Sequence, residues 1–186
     1  MFRRTLLALP LLVAASFAMA QAPAAPKLEP ENTLYLDLKD GRVVIRLRPD
    51  LAPKHVQQIK TLVKRGFYNG IVFHRVIPGF MAQTGDPTGT GTGGSDLPNL
   101  PQEFTVAPFK RGTLGMARAS DPNSANSQFF IMFGDGSFLN GQYTVFGEVV
   151  QGMDAVDKIK KGDTNNNGKV SSPDRIVRMQ MMSDAK

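Results

Sequence analysis

Phe73-His74-Arg75-Val76-Ile77-Pro78-Gly79-Phe80-Met81-Ala82-Gln83 sets one arginine among apolar residues, with an amide eight positions on. Removing a cation from water is costly, so Arg75 in such a run implies a purpose. Pro78-Gly79 marks a turn between two short strands. The run therefore reads as a hairpin that holds an arginine beside an apolar surface. The question it poses is which other stretches supply the walls.

The totals bound the answer. The chain has 186 residues, 41% apolar and 20% charged, which fits one globular domain able to bury about two thirds of its unfolded surface. Its formal charge is +6, and removing Arg3 and Arg4 with a leader takes it to +4. No block of five Lys or Arg occurs, so no nucleic-acid partner is expected. With no cysteine, disulfides, thiolate catalysis and Cys-based zinc sites are excluded. Two histidines, His55 and His74, are too few for a metal hydrolase built on paired His ligands.

Residues 1–20 read as a signal peptide. Arg3-Arg4 begin it, Thr5 to Phe17 is a mostly apolar run too short to span a membrane, and Ala18-Met19-Ala20 fits a cleavage site after Ala20. The expected location is periplasmic or secreted, with no membrane association once the leader is gone. Residues 21–31 are Pro/Ala-rich and read as a tether, leaving 32–184 as the domain.

Within the domain, short strands dominate. Leu34, Leu36 and Leu38 alternate, Asp40-Gly41 suggests a type I′ turn, and Val43 to Leu47 returns as a second strand. Pro53 opens a helix with Val56, Ile59, Leu62 and Val63 on one face and Gly66 as its stop. His55 reads as a surface or boundary residue. Further strands are expected at 71–77, 80–84, 112–117, 127–133, 144–150 and 176–182, and a second helix over 153–160. Phe104, Val106 and Phe109 read as anchors of an irregular stretch. The glycine-dense 85–94 lacks the Lys-Ser/Thr of a phosphate loop and reads as the rim of a site. The fold class is mainly β: many short strands, closed into a barrel so that no edge is exposed, with two helices capping its open ends.

The opening stretch closely resembles the signature of cyclophilin-type peptidyl-prolyl isomerases. Gly91-Thr92-Gly93-Gly94, Gly115-Met116-Ala117, Asn126-Ser127-Gln128-Phe129-Phe130-Ile131 and Val145-Phe146-Gly147 are similar to further blocks of that family, in order, between about Leu34 and Met182. The resemblance implies a closed eight-stranded antiparallel barrel capped by two helices. It implies that Arg75 is catalytic and oriented by Gln83, and that Phe80, Met81, Phe130 and Leu139 wall a proline pocket. Gln128 and the backbone of Ala117, Arg118 and Ala119 would lie along the peptide. Departures fall on the rim: Phe138 where many members have tryptophan, Tyr143 for histidine, Arg118 for asparagine. They resemble the exported bacterial branch and imply weak cyclosporin binding.

Rotation about an X–Pro bond needs no nucleophile. It needs the twisted amide to be bound better than the planar one. The expected partners are proline-containing unfolded or flexible polypeptides, with no cofactor, and the chain is expected to be a monomer. The alternative is a non-catalytic holdase using the same groove. A filled interior is expected, since bulky residues on the strands argue against a small-ligand barrel. Separately, Asp163, Asn165, Asn167 and Asp174 fall at positions one, three, five and twelve of a calcium-loop pattern, with Gly168 at six.

Overall fold

The computed structural model describes residues 27–185. The expected signal peptide and most of the tether lie outside them. The tether's last two residues, Pro30 and Glu31, belong to a 3-10 turn that leads into the first strand.

Among the described residues there are eight strands and two α-helices, as the resemblance implies. In chain order they are β1 (Thr33–Leu38), β2 (Gly41–Leu47), α1 (Pro53–Lys64), β3 (Arg75–Ile77), β4 (Met81–Thr84), β5 (Thr113–Met116), β6 (Phe129–Met132), β7 (Val145–Gln151), α2 (Met153–Asp157) and β8 (Arg178–Met181). The strands form one curled antiparallel sheet in the order β3-β4-β6-β5-β7-β2-β1-β8. Its concave face and α1 enclose a filled core. Leu34, Leu36 and Ile45 meet Ile59 and Leu62 of α1 there, with Phe73, Phe129 and Phe146 completing it.

The curl is not closed by a ladder between its end strands. The stretch 159–177 lies across the gap and satisfies β3's free edge with irregular backbone. Val76 N donates to Gly168 O (2.8 Å), and Gly162 N donates to Val76 O (2.8 Å). On the far side Val177 N donates to Asp37 O of β1 (2.9 Å). Every buried backbone group needs a partner, and an open strand edge needs a cover. The closing stretch is packed so closely that a Cβ on Gly162 would sit 1.9 Å from Gly168 O.

Local expectations fared unevenly. α1 ends in a Schellman motif: Gly66 takes φ +69°, Gly66 N reaches Val63 O (2.9 Å) and Phe67 N reaches Leu62 O (3.0 Å). The first hairpin turns at Lys39-Asp40, because Leu38 pairs with Gly41. Neither Lys39 nor Asp40 has the positive φ that a type I′ turn requires, and Gly41 absorbs the irregularity at φ +139°. α2 stops at Asp157, three residues early, and Lys160 N turns instead to the Asp174 carboxylate (2.8 Å).

His55 is fully buried, not at the surface. The N-cap of α1 is Ala52, which has no side-chain acceptor to offer. Glu103 takes that role from a distant loop, accepting from Lys54 N and His55 N (3.1 Å each) and binding His55 Nδ1 (2.7 Å). Of the three expected anchors in that loop, Phe109 is buried and Phe104 half-buried, but Val106 is 97% exposed.

Candidate active site

Strand register assembles the site. Arg75 of β3 faces Gln83 of β4, Gln83 faces Phe130 of β6, and Phe130 faces Gly115 of β5. The four therefore form one row across the sheet. With a side-chain period of two, their neighbours Val76, Ala82, Ile131 and Leu114 point into the core, and the row points out. The sequence signature is thus the outer face of a hairpin whose inner face is ordinary core.

Gly115 makes room for the floor. A Cβ there would lie 2.4 Å from Phe130 Cζ and 2.6 Å from Phe109 Cε1, so the two rings occupy the space a side chain would fill. They stack with centroids 5.7 Å apart. Met81, Met132 and Val145 complete a second apolar cluster, separate from the main core. Phe80 leans on the exposed ring of Phe138 (5.4 Å), and Tyr143 sets its ring edge-on to Phe130 (5.9 Å). Leu139 reaches the same cluster from the 3-10 turn Ser137–Leu139.

The result is a cleft of about 280 Å³, with Phe130, Met81 and Leu139 in its walls and Arg75 and Gln83 among its lining. That is slightly below the ~300 Å³ at which pockets for drug-sized ligands begin. It suits a small ring. Phe80, Ala117, Arg118, Phe138 and Tyr143 also border it. Ala119 and Gln128 do not. They line an adjoining cleft of about 590 Å³, which shares Gln83, Ala117 and Arg118 with the first. The expected site residues thus occupy one groove with two compartments.

Arg75 is half-buried and held on two sides. Its Nε donates to the backbone O of Asn167 (3.0 Å), and its Nη2 donates to Asn167 Oδ1 (2.9 Å). Its Nη1 donates to Gln83 Oε1 (3.1 Å). Burial pulls the guanidinium below its usual pKa, opposed by Tyr143, but a guanidinium remains a cation throughout the working range.

The polarity of the Gln83 amide is set by a relay. Gln128 Nε2 donates to the carbonyls of Gly91 (3.1 Å) and Gly93 (2.8 Å), which leaves Gln128 Oε1 to accept from Gln83 Nε2 (2.9 Å). Gln83 Oε1 must then face Arg75. Behind the relay stands Asp86, 1% exposed. Its carboxylate accepts from Gly91 N (2.6 Å), Gly93 N (3.1 Å), Thr88 N (2.8 Å) and the Thr88 hydroxyl (2.8 Å), which fixes the glycine loop. Burial pushes the Asp86 carboxyl up, but these donors outweigh it and bring it down to about 2.

Asp86 is a functional candidate that the sequence reading missed, and Asn167, read there as a calcium ligand, has its role at Arg75 instead. Asn167 sits in the proposed calcium loop, where the structure gives three of the four candidate side chains other work. Asn167 holds Arg75 from a left-handed backbone (φ +50°). Asp163 accepts from Asn165 N (2.9 Å), and Asp174 binds Lys39 Nζ and Lys160 N (2.8 Å each). Among the described residues no three His, Asp or Glu side chains group as metal ligands. His74 is buried as expected of a core histidine, but its Nδ1 has no partner.

The structure is thus a curled antiparallel sheet that carries a fixed arginine beside a small apolar cleft. The family model described as cyclophilin type peptidyl-prolyl cis-trans isomerase/CLD matches residues 33–181. A probable peptidyl-prolyl cis-trans isomerase of Brucella suis is 59% identical, over the whole of this chain and 99% of the relative. The crystal structure of cyclophilin AquaCyp293 from Hirschia baltica superposes with a TM-score of 0.77 at 30% identity, covering 86% of this chain and 77% of that one. A Cryptosporidium parvum cyclophilin crystallised in the presence of the dipeptide Ala-Pro gives 0.73 at 30% identity, covering 80% and 98%. The chain belongs to the cyclophilin-type peptidyl-prolyl cis-trans isomerases, and that isomerisation is its activity.

The pKa of Asp86 makes a prediction about acid stability. Its folded value lies below the ordinary carboxylate value of 3.8, so its contribution is complete above about pH 4 and is lost as pH falls through about 2. The contribution is about 2 kcal/mol. Urea unfolding between pH 5 and about pH 2 should show a steeper loss in the wild type than in Asp86→Asn. Parallel acid limbs would contradict it.

Proposed function

We propose that this chain accelerates X–Pro rotation in unfolded or flexible segments of exported proteins, outside the cytoplasm, with Arg75 as the catalytic group. Rotation faces a barrier of about 18–20 kcal/mol because amide resonance is lost in the twisted state. The lone pair of the prolyl nitrogen then localises. A fixed cation in a cleft partly closed to water favours that state over the planar one. The observation that carries the reading is the placement of Arg75. It lines a cleft floored by Phe130 and Met81, held by neutral acceptors only, so its charge is not spent on a carboxylate.

The remaining roles follow from position. Phe80, Met81, Phe130 and Leu139 clamp the ring, so that rotation occurs about one bond. Gln83 and Asn167 hold the guanidinium fork. Ala117, Arg118 and Ala119, with Gln128, line the path of the flanking peptide. Phe138 and Tyr143 form the rim. The Ala-Pro dipeptide present with the Cryptosporidium parvum relative supports proline-containing peptides as substrates.

Refolding limited by proline isomerisation tests the activity. The wild type should accelerate the slow phase in proportion to its concentration. Arg75→Ala should lose activity by about 10²-fold while keeping its folded spectrum. A holdase would slow the phase or leave it unchanged, and an Arg75→Ala variant near wild type would remove the arginine from the mechanism. Export rests on the charged, apolar and small-residue pattern of residues 1–20. N-terminal sequencing of the extracytoplasmic protein should read from Gln21. A sequence beginning at Met1 or Phe2 would count against cleavage.

A further inference from the structure

The groove holds two arginines and no carboxylate. Neither compartment is lined by an Asp or Glu. Five arginines elsewhere are paired with carboxylates, Arg42 with Asp37, Arg46 with Glu148, Arg48 with Asp50, Arg65 with Asp96 and Arg111 with Asp157, while Arg175 and Arg178, which do not line the groove, are not. Arg75 and Arg118 pair with no carboxylate among the described residues. Two carboxylates close by in sequence or beside a ring that Arg118 touches have other partners. Asp121, three residues on, accepts from Asn123 N (2.9 Å), and Glu103, beside Phe104, is committed to the start of α1 and His55.

Arg118 is also immobilised. Its Nε and Nη2 donate to Gln142 O (3.3 and 3.0 Å), and its Nη1 donates to Ala119 O (2.9 Å) and Ser120 O (3.3 Å). Its guanidinium carbon lies 4.5 Å from the centre of the Tyr143 ring. Carbonyl oxygens and an aromatic face orient the charge without cancelling it. The side chain thus staples the 117–120 stretch to the rim at 142–143, and it places a fixed cation where the two compartments meet.

Resting on the isomerase reading above, we propose that Arg118 is a specificity determinant that favours substrates with a carboxylate side chain close before the proline. Such a side chain meets a fixed cation with no competing anion. Lysine at the same place meets repulsion from Arg118. The pairing is present in the planar and the twisted amide alike. It therefore acts on KM, while kcat stays with Arg75. Salt weakens it, because the groove is open to solvent.

Matched short peptides with one X–Pro bond test this, with Glu, Gln or Lys at each of the two positions before the proline in turn. At low ionic strength, KM at one or both positions should run Glu below Gln below Lys, with Glu and Lys differing by about threefold or more. In about 1 M salt the difference should collapse. Arg118→Gln should abolish the ranking, and Arg118→Lys, which keeps the charge but loses the fork, should retain most of it. Equal KM for Glu and Lys at both positions would overturn the proposal. So would a ranking that survives Arg118→Gln, or one lost equally in Arg118→Lys, which would assign the effect to the staple and not to the charge. Absence of turnover with every peptide would instead strike the isomerase reading itself.

Discussion

A guanidinium half removed from water needs acceptors, and Arg75 has been given neutral ones: the amide and carbonyl of Asn167 and the amide of Gln83. A carboxylate would have held the side chain more strongly. It would also have cancelled the field that, under the proposed mechanism, favours the twisted amide. Much of the architecture around the cleft can be understood as the means of supplying neutral acceptors at fixed orientation. The Asp86 carboxylate takes part, but at the far end of the relay, where it fixes the glycine loop and not the arginine.

Stability and function are shared on the opposite side. The 159–177 stretch covers the free edge of β3, which every curled sheet of this kind must do or leave open. The backbone that makes this closure at Gly162 and Gly168 also carries Asn167 to Arg75. A helix or a regular strand in that gap could satisfy the edge. The irregular turn does so while presenting a left-handed asparagine, which only a short polar side chain or glycine tolerates readily.

The sequence made the hairpin, α1 and the strand positions legible, because alternation at Leu34–Leu38 and helical spacing at Val56–Val63 are local signals. The cleft was legible for a different reason. Phe73 to Gln83 and the Asn126–Ile131 block keep the family's spacing, and register then puts Arg75, Gln83 and Phe130 in one row. What stayed hidden lies in contacts between distant segments. Asn167 looked like a cation ligand because its turn has oxygen side chains and a glycine, and nothing local ties it to a residue 92 positions away. His55 read as a surface or boundary residue because it is polar, although it shares a helix face with Ile59 and Leu62, and the partner that lets it be buried, Glu103, comes from a distant loop. Val106 looked like an anchor from hydrophobicity alone, in a loop with no periodicity to say which residue turns inward.

The central claim is that the oriented arginine fork acts on the rotating bond and not merely on binding. Exchange NMR of a single X–Pro peptide, at saturating wild type and Arg75→Lys, measures on-enzyme cis–trans interconversion separately from affinity. Lysine keeps the charge but cannot span Gln83 and Asn167. The peptide should still bind, and its interconversion on the variant should slow by about tenfold or more. Interconversion at the wild-type rate on a peptide-bound Arg75→Lys variant would contradict it.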